Sequence, residues 1–190
     1  MHLRAGATVL EFDLHGEKVL QCADQTFLKL FRRKRWLSSA AWNPYARRFA
    51  DNSRRLAGLG IPCPQVIAVF RVPDLARDVV HYHPLPGKTI RQLIGTGLGD
   101  VDAIELRRQL GRFIASLHRR GIYFRSLHLG NIVLTPAGTL GLIDVADMSI
   151  HQRRLGGFAT RRNMQHLLRY AADAEWLMVD GEFSSAYTVA

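Results

Sequence analysis

Between residues 84 and 87 the chain reads Pro-Leu-Pro-Gly, and the residue patterning on its two sides is of different kinds. Prolines and a glycine this close together interrupt both helix and strand. The break is therefore expected to separate a first lobe, 1–84, from a second, 85–190. Before it the pattern is mostly that of strands. Ala7–Leu14 partly alternates, His15-Gly16 forms a turn, and Lys18–Cys22 and Thr26–Phe31 are short apolar runs around a polar Ala-Asp-Gln turn. Gln65–Val72 and Arg77–His83 flank the turn Pro73-Asp74-Leu75-Ala76. One helix interrupts these strands. Asn43-Pro44 suits an N-cap followed by proline at the first helical position, with Phe49, Ala50, Leu56 and Ala57 inward and a stop at Gly58–Gly60.

After the break the period changes to that of helices. Asp102 and Glu105 are spaced as in a capping box, and Leu106, Leu110, Phe113, Ile114 and Leu117 recur on one stripe up to Gly121. Ile132–Leu134 and Leu140–Ile143 flank the five-residue loop Thr135–Thr139, which predicts a hairpin. A last helix is expected over 161–178, with Leu167, Leu168, Ala171, Ala174 and Leu177 inward. The order predicts an α+β fold: a small antiparallel sheet with one helix, then a mainly helical lobe.

Charge narrows the partners. The 190 residues carry a formal charge of +10, and 22 of the 26 basic residues are arginine. Most arginines come as doublets beside amphipathic patterns, which suits a solvated helix face; Arg32-Arg33-Lys34-Arg35 is the densest run and the best anion-binding patch. The hydrophobic content of 47% excludes a disordered or collagen-like chain. Cys22 and Cys63 form no metal-ligand or disulfide pattern. No run approaches the ~18 apolar residues of a membrane span, and the N-terminus lacks a signal-peptide core. The chain reads as cytoplasmic, with peripheral contact at the inner membrane as the finer expectation.

The 132–143 hairpin points to chemistry. Folding it antiparallel brings the residue before its first strand, Asn131, beside the residue after its second, Asp144. An amide oxygen and a carboxylate are hard ligands suited to Mg²⁺, which completes its shell with phosphate oxygens and water. Both residues also suit turns, and spacing leaves both readings open.

The stretch Leu117–Leu134, containing Phe124-Arg125-Ser126-Leu127-His128-Leu129-Gly130-Asn131, followed by Leu142-Ile143-Asp144, resembles the catalytic segment of the protein-kinase-like fold. It is similar to the bacterial lipopolysaccharide-core kinases (the Kdo/WaaP type) and to aminoglycoside-phosphotransferase-like sequences. The resemblance implies a two-lobe protein-kinase-like fold with a shortened C-terminal lobe, since 46 residues follow Asp144. It implies ATP and Mg²⁺ as cofactors, with Asn131 and Asp144 as metal ligands. It also implies that Lys29, inside the strand Phe27–Phe31, pairs with the nucleotide phosphates, and that the chain near His81–His83 meets adenine.

Three positions depart from that pattern. Ser126 stands where the family has the aspartate that accepts the acceptor's proton, five residues before the asparagine. Asp147 and His128 are the neighbouring groups able to substitute. The helix of the first lobe has no glutamate to pair with Lys29, and Asp51 or Asn52 lies nearest its place. The glycine-rich cover over the phosphates is reduced to Gly16. The resulting expectation is an atypical kinase acting on a sugar of the lipopolysaccharide core or a related anionic glycolipid. A pseudokinase scaffold for an envelope-biosynthesis partner is the alternative. A nonspecific nucleic-acid binder is a third reading, which no stacking or groove-reading motif supports.

Overall fold

Alternation in Phe-Leu-Lys-Leu-Phe-Arg builds the middle of the first unit. The computed structural model describes residues 4–14, 16–32 and 44–189, in two units, Met1–Leu85 and Pro86–Ala190. In the first, β1 (Thr8–Asp13), β2 (Gly16–Gln21), β3 (Phe27–Arg32), β4 (Gln65–Val72) and β5 (Arg77–His83) form one sheet in the order β1-β2-β3-β5-β4. All neighbours are antiparallel. Side chains of a strand alternate between faces. Leu28 and Leu30 therefore join Leu20, Cys22, Val72 and Val79 in one apolar layer. Phe31 points to the other face, where it meets Tyr45 and Phe49 of α1 (Tyr45–Gly58) at ring-centroid distances of 6.4 and 6.1 Å. Lys29, two residues before Phe31, shares that helix-covered face.

Helix α1 departs from expectation at both ends. Pro44 is itself the N-cap, not the first helical residue, and makes no side-chain cap. Asn43, His15 and Arg33-Lys34-Arg35 lie outside the described residues. Ala57 is exposed, and Asn52 and Ser53 are buried instead. The inward stripe runs through Phe49, Asn52, Ser53 and Leu56, and Ala57 stands about 100° beyond its last member.

The second unit is organised by α3 (Asp100–Arg119), which follows β6 (Lys88–Thr89) and the short α2 (Ile90–Gly95). It starts two residues before the expected Asp102, with Gly99 as an N-cap that has no side-chain bond; the real capping box is Thr89 with Gln92, at α2. Leu106, Leu110, Ile114 and Leu117 are buried as expected, and Phe113 half-buried. Past the helix end, Gly121 has φ +73°, and a Cβ there would lie 2.3 Å from the Arg153 carbonyl oxygen, so no other residue fits without moving the chain. Next come β7 (Ile122–Phe124), β8 (Ile132–Leu134), β9 (Leu140–Leu142) and β10 (Met148–Ile150). Strand β7 pairs with β10, while β6, β8 and β9 form a three-stranded sheet.

The single helix expected over 161–178 is instead two, α4 (Gly157–Leu167) and α5 (Ala171–Met178), and an unexpected third, α6 (Glu182–Val189), follows them. Tyr170 is extended, with φ −95° and ψ 121°, and breaks the run; Leu167 and Leu177 are buried, but Ala171 is exposed. Helix α6 packs against α3 at Gly111, where a Cβ would lie 2.4 Å from the Phe183 carbonyl oxygen. Arg107–Asp180 and Arg108–Glu182 ion pairs, at 2.6 and 2.7 Å, fasten the approach to it.

Candidate active site

The segment from β7 to β10 holds most of the expected site residues, and its backbone is set by buried apolar anchors. Phe124, Leu127, Leu129, Ile132, Leu142 and Val145 are all fully buried, so the polar residues between them have little freedom. Ser126 and Asp147 come together: the Ser126 hydroxyl donates to Asp147 Oδ2 at 2.5 Å. The other oxygen, Asp147 Oδ1, is buried without a hydrogen-bond partner among the described residues. A lone buried carboxylate oxygen costs free energy unless something completes it, so such an atom marks a place for a proton or ligand. Asn131 joins the group, its Nδ2 donating to the Ser126 carbonyl at 2.8 Å. That bond turns the amide oxygen the other way, as a cation ligand requires.

The hairpin register corrects one expectation. Ile132 pairs with Leu142, and the Ile143 amide donates to the Asn131 carbonyl at 3.0 Å. Asn131 therefore stands opposite Ile143, and Asp144 lies one residue beyond it, in the left-handed region with φ 55° and ψ 43°. Loop length predicts a hairpin but does not fix which residue faces which. Asn131 and Asp144 together offer two hard oxygen ligands, and the described residues contain no cluster of three or more His, Cys, Asp or Glu able to hold a metal. This donor set fits Mg²⁺, which takes one or two protein ligands and completes its shell with phosphate and water. It does not fit a structural zinc site.

His128 is placed otherwise than a base requires. It caps the short 3₁₀ turn Leu129–Asn131, its Nδ1 accepting from the Gly130 amide at 3.1 Å. A neutral ring with Nδ1 so engaged carries its proton on Nε2 and has no lone pair left to take another. Burial, then Arg91 and Arg169, hold its pKa below the ordinary value, which keeps it in that neutral state. The ring also meets Tyr170 edge-on at 5.4 Å.

In the first unit, Lys29 is only 7% exposed on a central strand, its Nζ 5.7 Å from the Phe31 ring. An edge lysine kept for solubility does not look like this. Asp51 is half exposed and paired with Arg54 one turn along, at 3.0 Å; Asn52, beside it, is the residue that α1 buries. Of the two groups expected nearest the missing glutamate's place, the carboxylate thus faces outward and the amide inward. His83 ends β5 opposite Gln65 and is exposed. Gly16 has φ +108° and no atom within 4 Å of a Cβ placed there.

Two features of the second unit were not legible locally. Asp173 on α5, almost fully buried, accepts both Arg91 Nε and Nη2, at 3.1 and 2.6 Å, and lies 3.3 Å from the Leu129 amide. It ties the helix to the loop that carries Asn131, across a separation of 44 residues that no local pattern could signal. Basic groups also gather around His166, which Asp147 reaches electrostatically. Continuing the Met148–Phe124 pairing by one residue sets Asp147 opposite Arg125. The fully buried Asn163 donates to the Phe124 carbonyl at 2.6 Å, which anchors α4 beside β7. Burial, and then Arg169, Arg162 and Arg125, hold His166 below its ordinary pKa, while Asp147 acts in the opposite direction. The Arg161-Arg162 doublet and the residues to Tyr170 carried that signal in the sequence.

Comparison with known proteins gives a family. The chain is similar to solved structures of the bifunctional kinase-methyltransferase WbdD. A medium-resolution and a 2.2 Å structure are each 16% identical, with a TM-score of 0.45 over 72% of this chain. A co-crystal with the kinase inhibitor LY294002 is 16% identical, with a TM-score of 0.43 over 71%. These matches take in 29% or 30% of the WbdD chain, so this chain spans about three tenths of its length. No curated protein matches. The pattern of the phosphotransferase enzyme family (APH) matches residues 18–122, from β2 to the first residue of β7. That is more than half of the chain, and it ends before Ser126. With its mixed strand-and-helix architecture, the fold is α+β and protein-kinase-like. The chain belongs to the phosphotransferase enzyme family.

Proposed function

We propose that this protein is an atypical ATP-dependent kinase that phosphorylates a hydroxyl of an anionic sugar acceptor, of the lipopolysaccharide-core type. The observation that carries the reading is the 2.5 Å bond from Ser126 to Asp147, because it returns a carboxylate to the one catalytic position whose aspartate is missing. Asn131 and Asp144 hold Mg²⁺, which when bound neutralises nucleotide phosphate charge, and Lys29 is assigned to the nucleotide phosphates. The acceptor hydroxyl gives its proton to Ser126 Oγ while the serine's own proton passes to Asp147 Oδ2. The serine thus ends as it began, and the carboxylate holds the proton. A loose phosphoryl-transfer transition state asks little of a base, so a relayed one suffices. Arg125, Arg162 and Arg169, which with Asp147 all act on His166, support an acceptor that already bears negative charge.

The test is ATP-dependent phosphate labelling of a lipopolysaccharide core oligosaccharide. Labelling is expected with the unaltered chain, absent in Asp144→Ala, and reduced about 100-fold in Asp147→Asn. Ser126→Asp is expected to remain active. Labelling that persists in Asp144→Ala overturns the assignment. Ser126 itself favours a second reading, a pseudokinase. A Mg-ATP thermal shift with no turnover, unrescued by Ser126→Asp, establishes that one.

A further inference from the structure

Two sets of arginines in the second unit contrast. Arg91, Arg107, Arg108 and Arg112 are each paired with a carboxylate. Arg153, Arg154, Arg161 and Arg162 are exposed and have no ion-pair partner among the described residues. The second set brackets a large apolar side chain that is also exposed: Phe158, 81% accessible, in the first turn of α4.

Helical geometry puts these groups on one face. Asn163 and Leu167 are the buried residues of α4, and they define its inward side. At 100° per residue, Phe158 falls about opposite that side, with Arg161 on one flank and Arg162 on the other. The chain before the helix is held in place, because the Leu155 amide donates to the His118 carbonyl at 2.9 Å and the His151 amide to that of Gly121 at 2.9 Å. Arg153 and Arg154 are thereby fixed next to the helix start. On the Thr160 side, α4 borders a cavity of about 360 Å³ lined by Arg119, Arg154 and the hydroxyls of Thr160, Tyr187 and Thr188, with no acidic residue among its walls.

We propose that this face of α4 docks on an anionic lipid bilayer, with Phe158 inserted among the acyl chains and Arg153, Arg154, Arg161 and Arg162 at the level of the headgroup phosphates. Charge complementarity selects the occupant. Four unpaired guanidiniums repel a basic surface and match a sheet of phosphates, and a lone aromatic at their centre has no use on a free polyanion but suits an interface. No helix among the described residues is long and apolar enough to cross a membrane, so the contact is peripheral. The same helix carries His166 within electrostatic reach of Asp147, so docking presents the Ser126–Asp147 pair to molecules held in the bilayer surface.

The test is flotation of the full chain with vesicles of phosphatidylcholine alone or with about one-third phosphatidylglycerol. Binding is expected only to the anionic vesicles. It should weaken about fivefold for each arginine in Arg161→Gln and Arg162→Gln. Phe158→Ala should weaken it about tenfold with the melting temperature unchanged, and Phe158→Trp should restore it. Vesicle binding needs neither nucleotide nor turnover, so Asp144→Ala must bind as the unaltered chain does whatever becomes of the kinase reading. Three results overturn the proposal: no binding to anionic vesicles at low salt, equal binding to neutral ones, or Phe158→Ala binding undiminished. The last, joined to equally tight capture of both proteins by a short DNA duplex, would mark a nonspecific polyanion patch.

Discussion

The β1–β2 hairpin of the first unit and the β7–β10 segment of the second are both places where this chain departs from the kinase-like pattern that its sequence resembles, and they depart differently. The hairpin has lost the glycine-rich cover and is loosely built: Leu10, Phe12 and Leu14 are exposed, and the β1–β2 pairing is irregular around Glu11. The β7–β10 segment holds Ser126 where the pattern it resembles has an aspartate, inside a closely packed framework. Most of its apolar residues are buried, and Ser126, Asn131 and Asp147 are bonded to one another's side chains or backbone. One departure accompanies weak packing; the other sits inside strong packing. A changed residue within a rigid frame alters chemistry without altering fold, and this is why the serine at 126 is read through its neighbours.

That contrast can be broken or sharpened by four measurements. Phe124→Ala should have the largest effect, about 3–5 kcal/mol in a urea melt, because a fully buried ring beneath the Ser126 turn leaves a cavity. A loss near 1 kcal/mol would show that the segment relaxes and the frame is not rigid. Asp173→Ala follows at about 2 kcal/mol, reduced from the fully buried case because Arg91 is 44% exposed. Amide exchange at Leu129 should rise in that variant, and unchanged exchange would remove Asp173 as the tie between helix and loop.

The third measurement uses pH. Burial holds His118 below its ordinary pKa, between the Tyr187 hydroxyl at Nδ1 and Asn163 at Nε2. The unfolded chain then takes up a proton that the folded chain refuses. Stability from the neutral ring is complete above about pH 6.5 and is lost as pH falls. The melting temperature should drop between about pH 7.5 and pH 5.5, and less so in His118→Gln; equal slopes would relieve His118 of the role. Smallest of all, Phe12→Ser in the hairpin should change stability by less than about 0.5 kcal/mol. A larger loss would mean that the hairpin is packed after all.

What the sequence made legible follows the reach of each signal. All five strands of the first sheet were visible, since alternation and turn residues are local, and so was the buried stripe of α3. The Asn131–Asp144 hairpin was visible, but not its register, which is set by packing. Helix α6 was missed because Glu-Phe-Ser-Ser-Ala-Tyr-Thr-Val has one fully buried side chain, Phe183, and is held instead by close approach at Gly111. The Asp51 and His128 assignments followed chain position alone. One turn of a helix, or one amide partner, decides which way such side chains face. Asp147 is one of two substitutes that the sequence offers for the aspartate missing at Ser126; the bond that joins the pair depends on β7 pairing with β10 across some twenty intervening residues.

Asp144 occupies a backbone conformation that disfavours every residue except glycine and, to a lesser extent, asparagine and aspartate, at a cost of about 1 kcal/mol. Selection for thermal stability alone would replace it with glycine. On the proposed reading the strained backbone carries a metal-ligating carboxylate, so Asp144→Gly is expected to relieve the strain and to abolish Mg²⁺-dependent labelling together.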